Sequence, residues 1–270
     1  MKTGAQQDHA EWVKPKSHTA YGVWCDFLRR HRLVQSGQMD FHQIAVRLRQ
    51  LPYLQGLSKP QDIQDSVALL AQGQALLHSA LHDPLKYHAM DGAKLTSARK
   101  ARMAQWRLVM AFSGFETLSK GLIFPRRQDW RNPSFGDYIR RMDITLGGGK
   151  ATTLPPLPAP ASDNQTQKRF FEATHLRPGG AMARLLNLNK HDIQLLGDWI
   201  GGETYLESWD DRLRLAKALR NCTVHGALSA TKAANFGFIP AFKELTANIE
   251  KFTEAVFNQL NYQISPKKHE

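Results

Sequence analysis

The 270-residue chain sets 36 Lys and Arg against 24 Asp and Glu, a formal net charge of +12, with 42% hydrophobic residues. That is enough apolar content for one large domain, or one domain with an appendage, and the charge points to a polyanionic partner. Only two cysteines, Cys25 and Cys222, and no apolar run of leader or membrane-span length argue against a disulfide-stapled scaffold or a membrane protein, so a cytoplasmic chain is expected.

In chain order, residues 1–16 are polar, and three helical patterns follow. Tyr21–Leu33 carries Trp24, Phe27 and Leu28. Phe41–Leu51 carries Ile44 and Leu48 and stops at Pro52. Ile63–Leu81, entered through Pro60, places Val67, Leu70, Gln74, Leu77 and Leu81 at three- and four-residue steps. A long helix from about Thr96 to Ile123 is predicted to bury Ala104, Leu108, Ala111, Phe115, Leu118 and Leu122, with Pro125 closing it. Residues 147–165 are rich in Gly and Pro and read as a loop. Helices over Leu185–Ile200, Ser208–Ser229 and about Pro240–Tyr262 complete an all-α layout; the last carries Phe242, Leu245, Ile249, Phe252, Val256 and Leu260. No alternating strand pattern and no repeat interrupts it.

The helix that starts at Ser208 carries the most informative residues. Ser208 and Asp211 form a capping-box pattern, and Leu215, Ala218, Leu219, Cys222 and Gly226 fall on one stripe. Off that stripe stand Arg220, Asn221 and His225. A guanidinium holds a phosphate bidentately, and an imidazole titrates near neutrality and can move a proton to or from a 2′-hydroxyl or a leaving oxygen. Arg220 and His225 diverge by about 140° on one helix, so two copies facing across a twofold axis would close on a phosphate more readily than one. The competing reading of so short a pattern is a buried polar helix with a bonded His and an ion-paired Arg.

Arg220-Asn221, then His225 and Gly226, resembles the signature of HEPN domains: Arg, a polar residue, and His four to six residues after the Arg. These are all-helical modules, many of them metal-independent ribonucleases of toxin–antitoxin, abortive-infection and CRISPR-linked defence. The stretch Trp106–Ile123 resembles the first long HEPN helix, with Glu116 in the place of an acidic residue that often faces the site. The likeness covers roughly residues 97–262. It implies a HEPN-like helical bundle over 96–265 behind an N-terminal helical extension over 1–95. It implies an RNA endonuclease acting by 2′-hydroxyl attack, a homodimer, and a neutralising protein or RNA antitoxin as partner. In that reading Arg220 binds the scissile phosphate, His225 transfers a proton, Asn221 orients His225 or the phosphate, and Glu116 orients Arg220 or His225; the simpler role of Glu116 is a helix ion pair with Lys120, four residues on. No cofactor or metal is called for. The sequence departs at Ala227, where HEPN toxins silenced by a partner nucleotidyltransferase carry Tyr, so that silencing is not expected. A non-catalytic HEPN-type RNA- or protein-binding module fits the same residues, and a DNA-binding helical regulator is a third alternative.

Basic runs near the signature are candidate RNA contacts: Arg99, Lys100 and Arg102; Arg126 and Arg127; Arg140 and Arg141; and Lys168-Arg169. Trp106, Trp130, Phe135, Tyr138, Phe170 and Phe171 interleave them as possible stacking platforms, with core packing the competing role of each. His78 and His82, one turn apart, could share a metal, against a plain surface pair. Gly147-Gly148-Gly149-Lys150 is not a phosphate loop, since Ile144 and Ala151 stand where Gly and Ser or Thr are needed.

Overall fold

The structure, a computed structural model, describes residues 69, 72–73, 75–77, 79–81, 96–123, 157, 160, 164–204 and 206–264. Most of these are helical and none is in a strand, so the described part is all-α. The helices predicted over Tyr21–Leu33 and Phe41–Leu51 lie outside the described residues, as does most of the 147–165 loop. The described residues from 69 to 81 are helical, as the spacing predicts. Seven helices follow: α1 (Ser97–Ile123), α2 (Asn164–Thr174), α3 (Ala181–Leu185), α4 (Lys190–Gly201), α5 (Trp209–Val224), α6 (Ala230–Asn235) and α7 (Ile239–Ile264).

The chain divides into two compact units. The first comprises residues 1–79, 113–150 and 252–270. Within it Leu77, Phe115, Leu118 and Phe252 are buried, and the Phe115 and Phe252 rings lie 6.4 Å apart. Gly73 and Gly114 allow two helix backbones to touch. A Cβ on Gly73 would stand 2.6 Å from the Gly114 carbonyl oxygen, and one on Gly114 would stand 2.7 Å from that of Gly73. Any side chain at either position would push the helices apart.

The second unit comprises residues 80–112 and 151–251. Its core is aromatic. Phe238 sits 5.6 Å from Phe170, 5.5 Å from Trp199 and 6.5 Å from Phe242, ring centre to ring centre. All four are fully buried. Phe170 is therefore core, not a stacking platform; Phe171 is half-buried and meets its edge at 5.5 Å. Helix α4 packs against both α2 and α5.

Three boundaries differ from the periodicity. The helix predicted over Leu185–Ile200 starts only at Lys190, as α4; Leu185 is the last residue of the short α3 that precedes it. Asn187 takes a left-handed conformation (φ 49°), and Asn189 starts α4 with a capping box, accepting from the Asp192 N–H at 2.8 Å while its own N–H donates to Asp192 at 3.1 Å. Two asparagines thus break a run whose leucines look continuous. The helix predicted to reach Ser229 ends at Val224, because Gly226 turns left-handed (φ 75°) and the Leu228 N–H returns to the Cys222 carbonyl at 2.9 Å. Gly226 is therefore off the apolar stripe. Helix α2 also forms where the sequence shows a loop end and a basic run.

Candidate functional site

Helix α5 holds the signature. Half of the predicted capping box forms: the Ser208 hydroxyl accepts from the Asp211 N–H at 3.1 Å, while the Asp211 carboxylate accepts from that hydroxyl at 2.7 Å and not from the Ser208 backbone N–H. Asp210 and Asp211 in the first turn complement the helix dipole. Leu215, Ala218, Leu219 and Cys222 are buried as the stripe requires, and so are Leu213 and Ala216. Burial pushes the Cys222 thiol up to about 12, which leaves it a packing group and not a nucleophile.

The polar side of α5 is organised by the α3–α4 segment. Asp192 is 1% exposed; its carboxylate accepts from Lys217 Nζ at 2.9 Å and lies 3.5 Å from the Arg214 guanidinium. Arg214 also reaches Asp210 at 2.7 Å. Burial opposes the Arg214 charge, but the two carboxylates outweigh it and raise its pKa. Asn221 lies one turn beyond Lys217. Its Nδ2 donates to the Leu186 carbonyl at 2.7 Å, and its Oδ1 accepts from the Arg220 guanidinium at 2.8 Å. Asn221 is 6% exposed, so the residue expected beside the apolar stripe is buried with it. Through this contact Asn221 orients Arg220, which is half-buried.

His225 meets different surroundings. It is the C-cap of α5 and exposed (φ −91°, ψ 10°). Its N–H still closes a helical bond to the Asn221 carbonyl at 3.1 Å, so its Cα keeps the helical phase and the chain leaves only at Gly226. The turn is fixed from α1. Gln105, 3% exposed, donates to Thr223 Oγ1 at 3.2 Å and to the Leu228 carbonyl at 2.8 Å, bracketing His225 on both sides. Lys232 adds a bond to the Ala173 carbonyl at 2.7 Å and a longer one to Ala227 at 3.4 Å. Gln105 was not singled out by the sequence. Its one signal was a polar residue beside the buried Ala104 and Leu108 positions of a long apolar stripe.

Arg99, Lys100 and Arg102 lie exposed in the first two turns of α1, in the same unit as the signature. Glu116 is half-buried on the same helix but belongs to the first unit, whereas Arg220, Asn221 and His225 belong to the second. Arg126, Arg127, Arg140, Arg141, Trp130, Phe135, Tyr138, His78 and His82 lie outside the described residues. Among the described residues no three His, Cys, Asp or Glu side chains gather as a metal site, and no helix is long and apolar enough to cross a membrane. No family model matches this chain, and no curated protein or solved structure matches it either.

Proposed function

We propose that this chain is a HEPN-like, metal-independent RNA endonuclease, acting as a defence or toxin effector in the cytoplasm. The observation that carries the reading is the division of labour along one helix end. An oriented guanidinium at Arg220 is followed, five residues on, by an exposed imidazole at His225 on a braced turn. In the proposed reaction the RNA 2′-oxygen attacks the adjacent phosphorus and the bond to the 5′-oxygen breaks. The products are a 2′,3′-cyclic phosphate and a 5′-hydroxyl. Arg220 neutralises the charge that builds on the phosphate oxygens. His225 moves a proton, from the attacking hydroxyl or to the leaving oxygen. A homodimer with both signature helices at the interface supplies an Arg220 and a His225 to each phosphate, which accommodates their divergence on one helix.

One observation favours a second reading, a non-catalytic RNA- or protein-binding module of the same type. Both polar atoms of Asn221 are engaged within the protein, as in a purely structural buried network. Labelled RNA incubated with pure protein in EDTA separates the two. Cleavage to cyclic-phosphate ends, by a species that light scattering sizes as a dimer, supports the endonuclease. Binding without cleavage, or cleavage that EDTA abolishes and magnesium restores, contradicts it.

A further inference from the structure

Trp106 is 47% exposed, and no other Phe, Tyr or Trp whose side chain is described is exposed. Every other such side chain described in its unit is buried or half-buried, several of them in the Phe170, Trp199, Phe238 and Phe242 cluster. A large indole left in water on a helix that buries its apolar face offers a flat surface to a ligand. Its neighbours on the helix surface indicate which one. Arg99 and Arg102 stand seven and four residues before Trp106, within about 40° of it around the α1 axis. Both are exposed, as is Lys100. A flat π-face beside two guanidinia, on a chain of net charge +12, matches a strand that alternates unpaired bases with phosphates. In a duplex the bases are stacked on each other and offer no free face.

We propose that Trp106, Arg102 and Arg99 form a binding strip for single-stranded RNA, with a base stacked on Trp106 and the flanking phosphates on the two arginines. The strip deepens the ribonuclease reading and rests on its choice of RNA as ligand. Its place in the unit suits that role. Gln105, the residue before Trp106, bonds to Thr223 and Leu228 on either side of His225, so the indole stands at the level of α1 that braces the signature turn, about 100° around the helix from that contact. The strip would select unpaired RNA without reading its sequence, because every base offers a π-face.

The test uses the full chain carrying His225→Ala, so that bound RNA stays intact, and a fluorescent oligoadenylate read by anisotropy. An oligomer of the same length with abasic positions and a duplex RNA are compared at the same salt. Adding Trp106→Ala is expected to weaken oligoadenylate binding about ten-fold and leave the abasic strand unchanged, while Trp106→Phe keeps most of the affinity. Arg102→Ala should weaken both strands and lower the salt dependence by about 0.7 in the log–log slope, one phosphate contact. Equal affinity of Trp106→Ala for oligoadenylate, an equal loss on both strands, or no binding by the parent overturns the proposal. So does a Trp106→Ala protein that turns from dimer to monomer in light scattering with RNA affinity unchanged, since the indole is then a protein contact. If the base-dependent loss is seen but the unmodified chain cleaves no RNA, the endonuclease reading falls and the strip stands. If the chain cleaves RNA and Trp106→Ala changes nothing, the strip falls alone.

Discussion

Asn221 and His225 stand four residues apart in one short motif, yet their surroundings are opposite. Asn221 is 6% exposed, with its amide tied to Leu186 and Arg220. His225 is exposed beyond the last helical residue, on a turn held from outside by Gln105. The inner end of the motif therefore belongs to the folding of α5 against the α3–α4 segment, and the outer end is displayed to solvent. Residues that a pattern groups together need not share a role: losses at Asn221 should register as stability, and losses at His225 as chemistry.

The sharpest way to break this comparison is at the inner end. Asn221→Leu keeps the volume but leaves the buried Leu186 carbonyl unsatisfied and takes away an acceptor for Arg220. Two buried hydrogen bonds of this kind are worth about 2–3 kcal/mol together. Urea denaturation should show that loss as a lower midpoint at unchanged slope. An Asn221→Leu protein as stable as the parent would mean that the inner end is not structural.

Gln105→Met sits between the two cases. It removes both donors to the His225 turn at nearly constant volume. The expected cost is about 1–2 kcal/mol. Single-turnover cleavage should fall while RNA affinity holds, because His225 loses its bracing and not its chemistry. The imidazole NMR signals of His225 should shift in this variant, and those of the exposed His175 and His191 should not. Unmoved His225 signals would remove Gln105 from the site.

The smallest effect is at Gly226. No atom lies within 4 Å of where a Cβ would stand, so Gly226→Ala tests the left-handed backbone alone. The cost should be about 1 kcal/mol, read by thermal or urea melting. A larger loss would show that the turn carries contacts beyond its own conformation.

What the sequence made legible follows from how each feature is encoded. Helix α1 and the described start of α7 repeat apolar residues over many turns, so their existence and buried faces could be read directly: Ala104, Leu108, Ala111, Phe115 and Leu118 on one, Phe242, Leu245, Ile249 and Phe252 on the other. The start of α5 was legible because Ser208 and Asp211 form a local cap. The break between α3 and α4 was not, because it depends on Asn187 adopting a left-handed conformation that leucine spacing does not announce. Within the site, Arg220 and His225 stood out by residue type. The burial of Asn221 and the bracing by Gln105 did not, since each depends on a partner 35 or 123 residues away. Trp106 was visible as an aromatic among basic residues, but only its exposure separates it from Phe170, which was read the same way and is core.

The central claim is that chemistry resides at the displayed end of the motif. Single-turnover RNA cleavage by His225→Ala, beside filter binding and circular dichroism, tests it most directly. The account predicts a folded protein that binds RNA with nearly the parental affinity and cleaves it about 10²–10⁴-fold more slowly, the usual loss when a general acid or base is removed. A folded His225→Ala protein that cleaves at the parental rate would contradict it and take the signature out of the active site.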